Sequence, residues 1–392
     1  MKEIVACLLY YPQPIFGAMR VLGIETSCDE TAVAICEGDG ERFRVVQNVV
    51  ASQIETHRAF GGVVPEVAAR MHVPVLPKLI EAVTGWKSDG LDGVAVTCGP
   101  GLATALRVGI ETAKALAVSW KLPLVPVDHI EGHIYANFLA NRKQETGNGG
   151  DQKLMNDEPL THFPILCLIV SGGHTELVLM KGHGHYTFLG QTRDDAVGEA
   201  FDKTAAQLGL LYPGGPSVAK AAIEGRADAI GLPRPMIESG DLDFSFSGLK
   251  TAVRVAIQAM PIERRDKRFV ADASASFQQA VVDVLVHKTV QAAKRFAPAA
   301  VMLCGGVSAN KELRRQMTDA LKAIDVPLLL PEMVYTTDNA AMIAAAGLRG
   351  LLDGREAEDP FVVDADPGRT LGGRWKWEQR NTPPYQGGVG GD

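Results

Sequence analysis

Two stretches of one design constrain this chain more than anything else in it. Arg20–Cys36 (RVLGIETSCDETAVAIC) and Phe163–Met180 (FPILCLIVSGGHTELVLM) each read as an apolar strand, a short polar turn and a second strand. A strand–helix series follows each of them. After the first, GVAVTCGPG from Gly93 is a buried strand ending in a glycine turn, LATALRVGIETAKALAVSW an Ala-rich helix, and LPLVPVD a further strand. After the second, Asp194–Leu208 is an amphipathic helix, and Val301–Leu313 (VMLCGGVSANKEL) is a buried strand, a Gly-Gly turn and a helix start. Such alternation predicts a parallel or mixed sheet with helices on its faces. Its repetition in a chain of 392 residues, too long for one small core, predicts an α/β molecule of two similar lobes.

The first lobe is expected over residues 19–128, closed by a returning helix at about 338–352, and the second over 129–337. Residues 141–160 (NRKQETGNGGDQKLMNDEPL) offer little to bury and read as a mobile surface loop. Residues 1–18, broken by Pro12 and Pro14, read as an extension beyond the fold or a start codon placed too early. The Gly- and charge-rich stretch 353–392 reads as an irregular tail. Neither a bilayer-spanning run nor a secretory leader is recognised. Six cysteines without a Cys-x-x-Cys pair read as reduced thiols, which points to a cytoplasmic protein.

The chemistry concentrates in Val127–Asn137 (VDHIEGHIYAN). His129 and His133 stand four residues apart, so on a helix both imidazoles leave one face, a spacing suited to zinc, iron or manganese. A solvated polar face is the plain alternative. A pair from one helix needs a further ligand, and Asp338, in Tyr335–Gly347 (YTTDNAAMIAAAG), is the best candidate; capping at the start of that helix is its competing role. A zinc protease helix carries Glu directly after its first His, where Ile130 stands here. Glu131 lies about 200° around the helix and points away, which disfavours peptide hydrolysis.

Other residues suit phosphate and ribose. The turn Glu25–Thr31 offers hydroxyls, carboxylates and amides, and Ser171, Gly172 and Gly173 let backbone amides approach an anion. Asp202, on the helix before Tyr212-Pro-Gly-Gly-Pro216, could take ribose hydroxyls or simply face solvent. Ser247 could cap the helix of FSFSGLKTAV. His57 and His72 read as structural, and Glu66 with Arg70 as a surface ion pair. The net charge of −7 gives no basic footprint for nucleic acid.

The duplicated layout resembles the actin, hexokinase and Hsp70 ATPase superfamily, whose two phosphate-binding hairpins face each other across a cleft. More specifically, GIETSCDETAVAI, HRAFGGVVPEVAARMH, VDHIEGHIYAN, VSGGHTEL, DDAVGEAFDK, YPGGP, FSFSGLKTAV, CGGVSAN and TTDNAAMIA, in that order from about Met19 to about Gly350, resemble the threonylcarbamoyltransferase family TsaD, once described as O-sialoglycoprotein endopeptidases. The resemblance implies a bilobal actin-like ATPase fold with two RNase H-like lobes. It implies transfer of threonylcarbamoyl from threonylcarbamoyl-AMP to N6 of adenosine 37 in tRNAs reading codons that begin with A. By the family's motifs His129, His133 and Asp338 bind one divalent metal, iron(II) foremost with zinc(II) the alternative. Ile169, Val170, Ser171, Gly172, Gly173, Asp202, Gly215 and Asn310 bind the adenylate; Ala219 stands where relatives often carry a carboxylate. The resemblance also implies tRNA as substrate and, as partners, a TsaB-like pseudoenzyme paralogue and a small TsaE-like P-loop ATPase, which would ease the conflict between acidic charge and tRNA. Competing readings are a sugar kinase or ATPase of the same superfamily, a metalloprotease, and a non-catalytic scaffold paralogue.

Overall fold

The computed structural model describes residues 4–7, 17–139 and 162–380. The loop expected at 141–160 and the end of the tail, 381–392, lie outside them. Six strands, β1 (Ile4–Cys7), β2 (Met19–Glu25), β3 (Glu30–Gly38), β4 (Phe43–Ser52), β5 (Gly93–Gly99) and β6 (Leu124–Asp128), make one sheet in the order β1-β4-β3-β2-β5-β6. Five more, β7 (Ile165–Val170), β8 (Thr175–Gly182), β9 (His185–Gln191), β10 (Ala300–Cys304) and β11 (Leu328–Leu329), make a second in the order β11-β10-β7-β8-β9. Without β1 the two orders are the same: an antiparallel β2-β3-β4 or β7-β8-β9 meander, then two strands added in parallel beside its first. The duplication read from the hairpins is the architecture.

The helices are α1 (Ile54–Arg58), α2 (Pro65–Thr84), α3 (Ala103–Trp120), α4 (His129–Tyr135), α5 (Val197–Gln207), α6 (Gly214–Ala222), α7 (Ser247–Ala259), α8 (Lys267–Phe296), α9 (Lys311–Lys322), α10 (Ala340–Leu352) and α11 (Lys376–Arg380). Strand alternation decides which core each side chain joins. In β2, Leu22 and Ile24 pack with α2 and α3, whereas Val21 joins a core shared with α4 and α10. In β7, Leu166, Leu168 and Val170 pack with α5, α8 and α9, whereas Ile165, Cys167 and Ile169 join that same shared core. Both sheets therefore turn one face to a common layer in which α4 and α10 lie. The alanines of α10 make this possible: a Cβ on Gly23 would overlap the Ala340 carbonyl, and one on Gly347 would overlap the Ala95 side chain.

Two local readings differ from the sequence-based expectation, and the irregular tail packs against the fold. Ile4–Cys7, inside the segment expected to lie beyond the fold, runs antiparallel to β4 with Ile4 opposite Ala51 and covers that sheet edge. The stretch after residue 353 has little regular structure but is packed. Val363, Leu371, Trp375 and Trp377 are buried, the two indoles stack 4.7 Å apart, and Arg369 bonds Asp128 at 3.1 Å. Ser247 begins α7 rather than capping it; the cap comes from Asp194, which accepts from Phe246 N, Ser247 N and both Ser245 and Ser247 hydroxyls. Among the described helices α8 alone is long and apolar enough to cross a membrane, and 67% of that window is buried in the protein.

Candidate metal centre and nucleotide cleft

Helix α4 starts directly at the carboxyl end of β6, where ligand sites of open α/β sheets form. Asp128 caps it, accepting from Ile130 N at 2.9 Å and Glu131 N at 3.3 Å, while its other oxygen takes the Arg369 guanidinium. Every residue of α4 is buried. Asp338 sits just before α10 and not in its first turn: Asn339 does the capping, accepting from Met342 N at 3.0 Å, which frees Asp338 to face the histidines.

Asp338 Oδ1 lies 3.4 Å from His129 Nε2 and 3.2 Å from His133 Nε2, and one potential ligand atom from each residue falls within 4.8 Å of the others. The imidazoles meet edge to face, 4.7 Å apart. His133 is fully buried; its Nε2 faces only Asp338, and its Nδ1 has no hydrogen-bond partner among the described residues. A buried, unpaired imidazole is costly unless something else takes its lone pair. Two imidazoles and one carboxylate, with a buried orphan among them, fit a divalent cation with open positions. Burial opposes charge on Asp338, but the facing imidazoles overcome it and hold its carboxyl below the usual range. Burial likewise opposes charge on His129, yet Asp338 and Glu25 raise its pKa; His133 is lowered by burial.

Glu25, at the end of β2, was read only as one polar turn residue among several. It is fully buried, and its Oε2 accepts from Thr97 Oγ1 at 2.6 Å and stands 3.1 Å from His129 Nδ1. Its Oε1 accepts from Ser27 N. The available signal was a carboxylate closing the apolar strand RVLGIE, which has to find donors once buried. Glu131 faces away from the imidazoles as the helical angle requires, bonding Arg355 at 3.0 Å and the Tyr186 hydroxyl at 3.0 Å. His57 and His72 are core groups: His72 contacts Thr31 Oγ1 and the Cys28 carbonyl, and His57 contacts Gln53 and Val64 N. Glu66 and Arg70 are 4.0 Å apart and exposed.

The adenylate candidates gather at the carboxyl ends of β7 and β10. Ile169 and Val170 are fully buried residues at the end of β7. Gly172 and Gly173 are exposed, and a Cβ on either would meet nothing within 4 Å. Ser171 O accepts from Gly198 N at 3.1 Å, which seats the start of α5 against this turn. Gly305, at φ +87°, packs against the Val170 carbonyl so closely that a Cβ there would collide with it. Asp202 Oδ1 accepts from Gly214 N at 2.7 Å, tying α5 to the start of α6. Burial raises the Asp202 pKa, helped by Asp29 of the first hairpin. Asn310 is less available than its sequence position suggested, because its carbonyl caps α9 at 3.0 Å and its amide bonds Gln278 at 2.8 Å. His174, after Gly173, lies within electrostatic reach of His129, His133 and Asp338, so the second hairpin turn borders the histidine centre.

Residues 44–148 and 150–345 match the family TsaD, tRNA N6-adenosine threonylcarbamoyltransferase. A protein of that name from Geobacillus thermodenitrificans is 49% identical over 355 residues, covering 90% of this chain and 96% of its own. Its counterpart in Symbiobacterium thermophilum is 50% identical over 331 residues, covering 83% and 90%. Among solved structures, HypF from T. kodakarensis aligns with a TM-score of 0.53 at 14% identity, over 88% of this chain and 49% of that one. Two lobes of one topology make this an α/β protein of the actin-like ATPase fold. Within that class the chain belongs to the tRNA N6-adenosine threonylcarbamoyltransferase family, and its activity is the formation of N6-threonylcarbamoyladenosine in tRNA. The kinase, protease and scaffold readings are not favoured.

Proposed function

We propose that the donor is threonylcarbamoyl-AMP, that the acceptor is N6 of adenosine 37 in tRNAs reading codons that begin with A, and that His129, His133 and Asp338 hold one divalent metal, iron(II) before zinc(II). The observation that carries this reading is the convergence of those three side chains beside the second hairpin turn. The bound metal would act as a Lewis acid toward phosphate or carbamoyl oxygen. The Ile169–Gly173 strand end and turn would approach the phosphate with the amides of Gly172 and Gly173, where glycines leave the surface open. Asp202 keeps one oxygen on Gly214 N and can offer the other to a ribose hydroxyl beside Gly215. Asn310 would reach the nucleoside with its amide by exchanging Gln278.

The donor is a mixed anhydride with a good leaving group. The adenine amine attacks the carbamoyl carbon, the carbon–oxygen bond to phosphate breaks, AMP departs and the amine gives up one proton. Positioning and charge stabilisation suffice, and no covalent enzyme intermediate is required. A net charge of −7 argues that a TsaB-like paralogue and a TsaE-like ATPase help to hold tRNA, in the cytoplasm where that substrate is found. The test is mass spectrometry of nucleosides from unmodified tRNA incubated with the protein, threonylcarbamoyl-AMP and those partners. Modified adenosine that vanishes with a His129→Ala/His133→Ala double variant is the expected result. Folded, partnered protein that yields none overturns the reading, and a trapped acyl-enzyme overturns direct attack.

A further inference from the structure

We infer that Glu25 is a positioning residue that holds His129 as its Nδ1–H tautomer and thereby presents Nε2 to the metal. The inference rests on the metal-centre reading above. Glu25 Oε2 is 3.1 Å from His129 Nδ1, on the opposite side of the ring from Nε2, which points to Asp338. The carboxylate is itself held by groups other than the histidine. Ser27 N holds Oε1, and Thr97 Oγ1 donates to Oε2 from the neighbouring parallel strand, where Ile24 pairs with Val96. Glu25 is 0% exposed, so water does not compete for those oxygens.

A buried carboxylate that takes the outer N–H of a liganding imidazole fixes its tautomer and ring angle and raises its basicity. His133 receives no such support: its Nδ1 is buried without a partner among the described residues. The two histidines are therefore unequal: both turn Nε2 to Asp338, but only His129 is also oriented through Nδ1 from β2. Ser27 Oγ, 3.2 Å from the same Nδ1, is a second, neutral neighbour that cannot supply the charge.

The experiment measures zinc(II) affinity by competition with a chromophoric chelator for the full-length chain, with AMP binding as an independent check of the folded cleft. Glu25→Ala should lower affinity by about 10–100-fold, and Glu25→Gln, which keeps an acceptor but not the charge, by less, with AMP binding retained. In zinc-loaded protein with 15N-labelled histidine, His129 should show a protonated Nδ1 and a metal-bound Nε2. That spectrum decides the matter in the wild-type chain should the variants fail to fold. Wild-type affinity in both variants, or a His129 bound through Nδ1, overturns the inference while leaving the metal centre standing. A wild-type chain that binds no zinc(II) or iron(II) overturns the metal centre itself.

Discussion

Asp338 and Asp202 illustrate two kinds of carboxylate. Asp338 has no capping duty, because Asn339 has taken it, and what faces it is two imidazoles. Asp338→Asn should therefore leave α10 capped yet weaken metal binding by more than the about 10–100-fold typical of an outer partner, with a parallel loss of transfer. Metal content and nucleoside analysis on the same preparation check both halves. Asp202 has a structural oxygen and a spare one. Asp202→Asn can keep the acceptor for Gly214 N, so it should weaken adenylate binding at nearly unchanged stability. Asp202→Ala should additionally cost about 1–3 kcal/mol for the stranded amide, read from urea unfolding. At this scale the sequence was readable where chemistry follows local spacing, as in His129 and His133. It was opaque where partners are distant: Glu25 lies 104 residues from His129, and no periodicity announces that pairing.

Elements were legible in proportion to their patterning. The strands of both hairpins and the 103–120 helix stand out because one apolar period runs through each. Edge strand β1 did not, since two prolines beside it spoke against order, and the packed stretch around Trp375 did not, since tryptophans bury without any period. Helix α10 is built largely of small residues, and the structure shows why they are required. Its Gly347 meets Ala95 of β5 and its N-terminal carbonyl meets Gly23 of β2, so backbone rests nearly on backbone. Adding volume there cannot be absorbed by a side chain turning away. Gly347→Val should cost about 1–3 kcal/mol or more in chemical denaturation. It should also weaken metal binding, because Asp338 rides on the loop that leads into this helix. A variant with wild-type stability would show that α10 stands further from β5 than its packing indicates.

The whole molecule depends on what joins the lobes. The shared core runs from β2 and β3 through α10 and α4 to β7 and β10, and an aromatic cluster extends it at one end. There Phe43 of β4 meets Tyr135, Tyr135 and Phe138 both meet His183, and His183 meets Phe163, with the Tyr135 hydroxyl 2.8 Å from His183 Nδ1. A core common to both sheets predicts one cooperative unfolding transition. All four tryptophans, Trp86, Trp120, Trp375 and Trp377, lie in or against the first lobe. Their fluorescence should follow the same urea curve as far-UV circular dichroism, and two separated curves would show the lobes unfolding apart. The same junction should be acid-sensitive. Burial, with Arg349 and Arg355 nearby, pushes His183 down to about 4. Between about pH 6.5 and 4 the unfolded chain then binds the proton that folded His183 refuses, so its contribution to stability is constant above that window and declines as pH falls through it. Asp128, pushed up by burial to about 6, and Glu176, pushed up by burial to about 7, act in the opposite sense, because their folded forms take the proton first. The His183 share is therefore read as a difference. Relative to its own value at pH 7.5, a His183→Gln protein should lose less stability by pH 5 than the wild type does, and equal losses would place His183 outside the junction's titration.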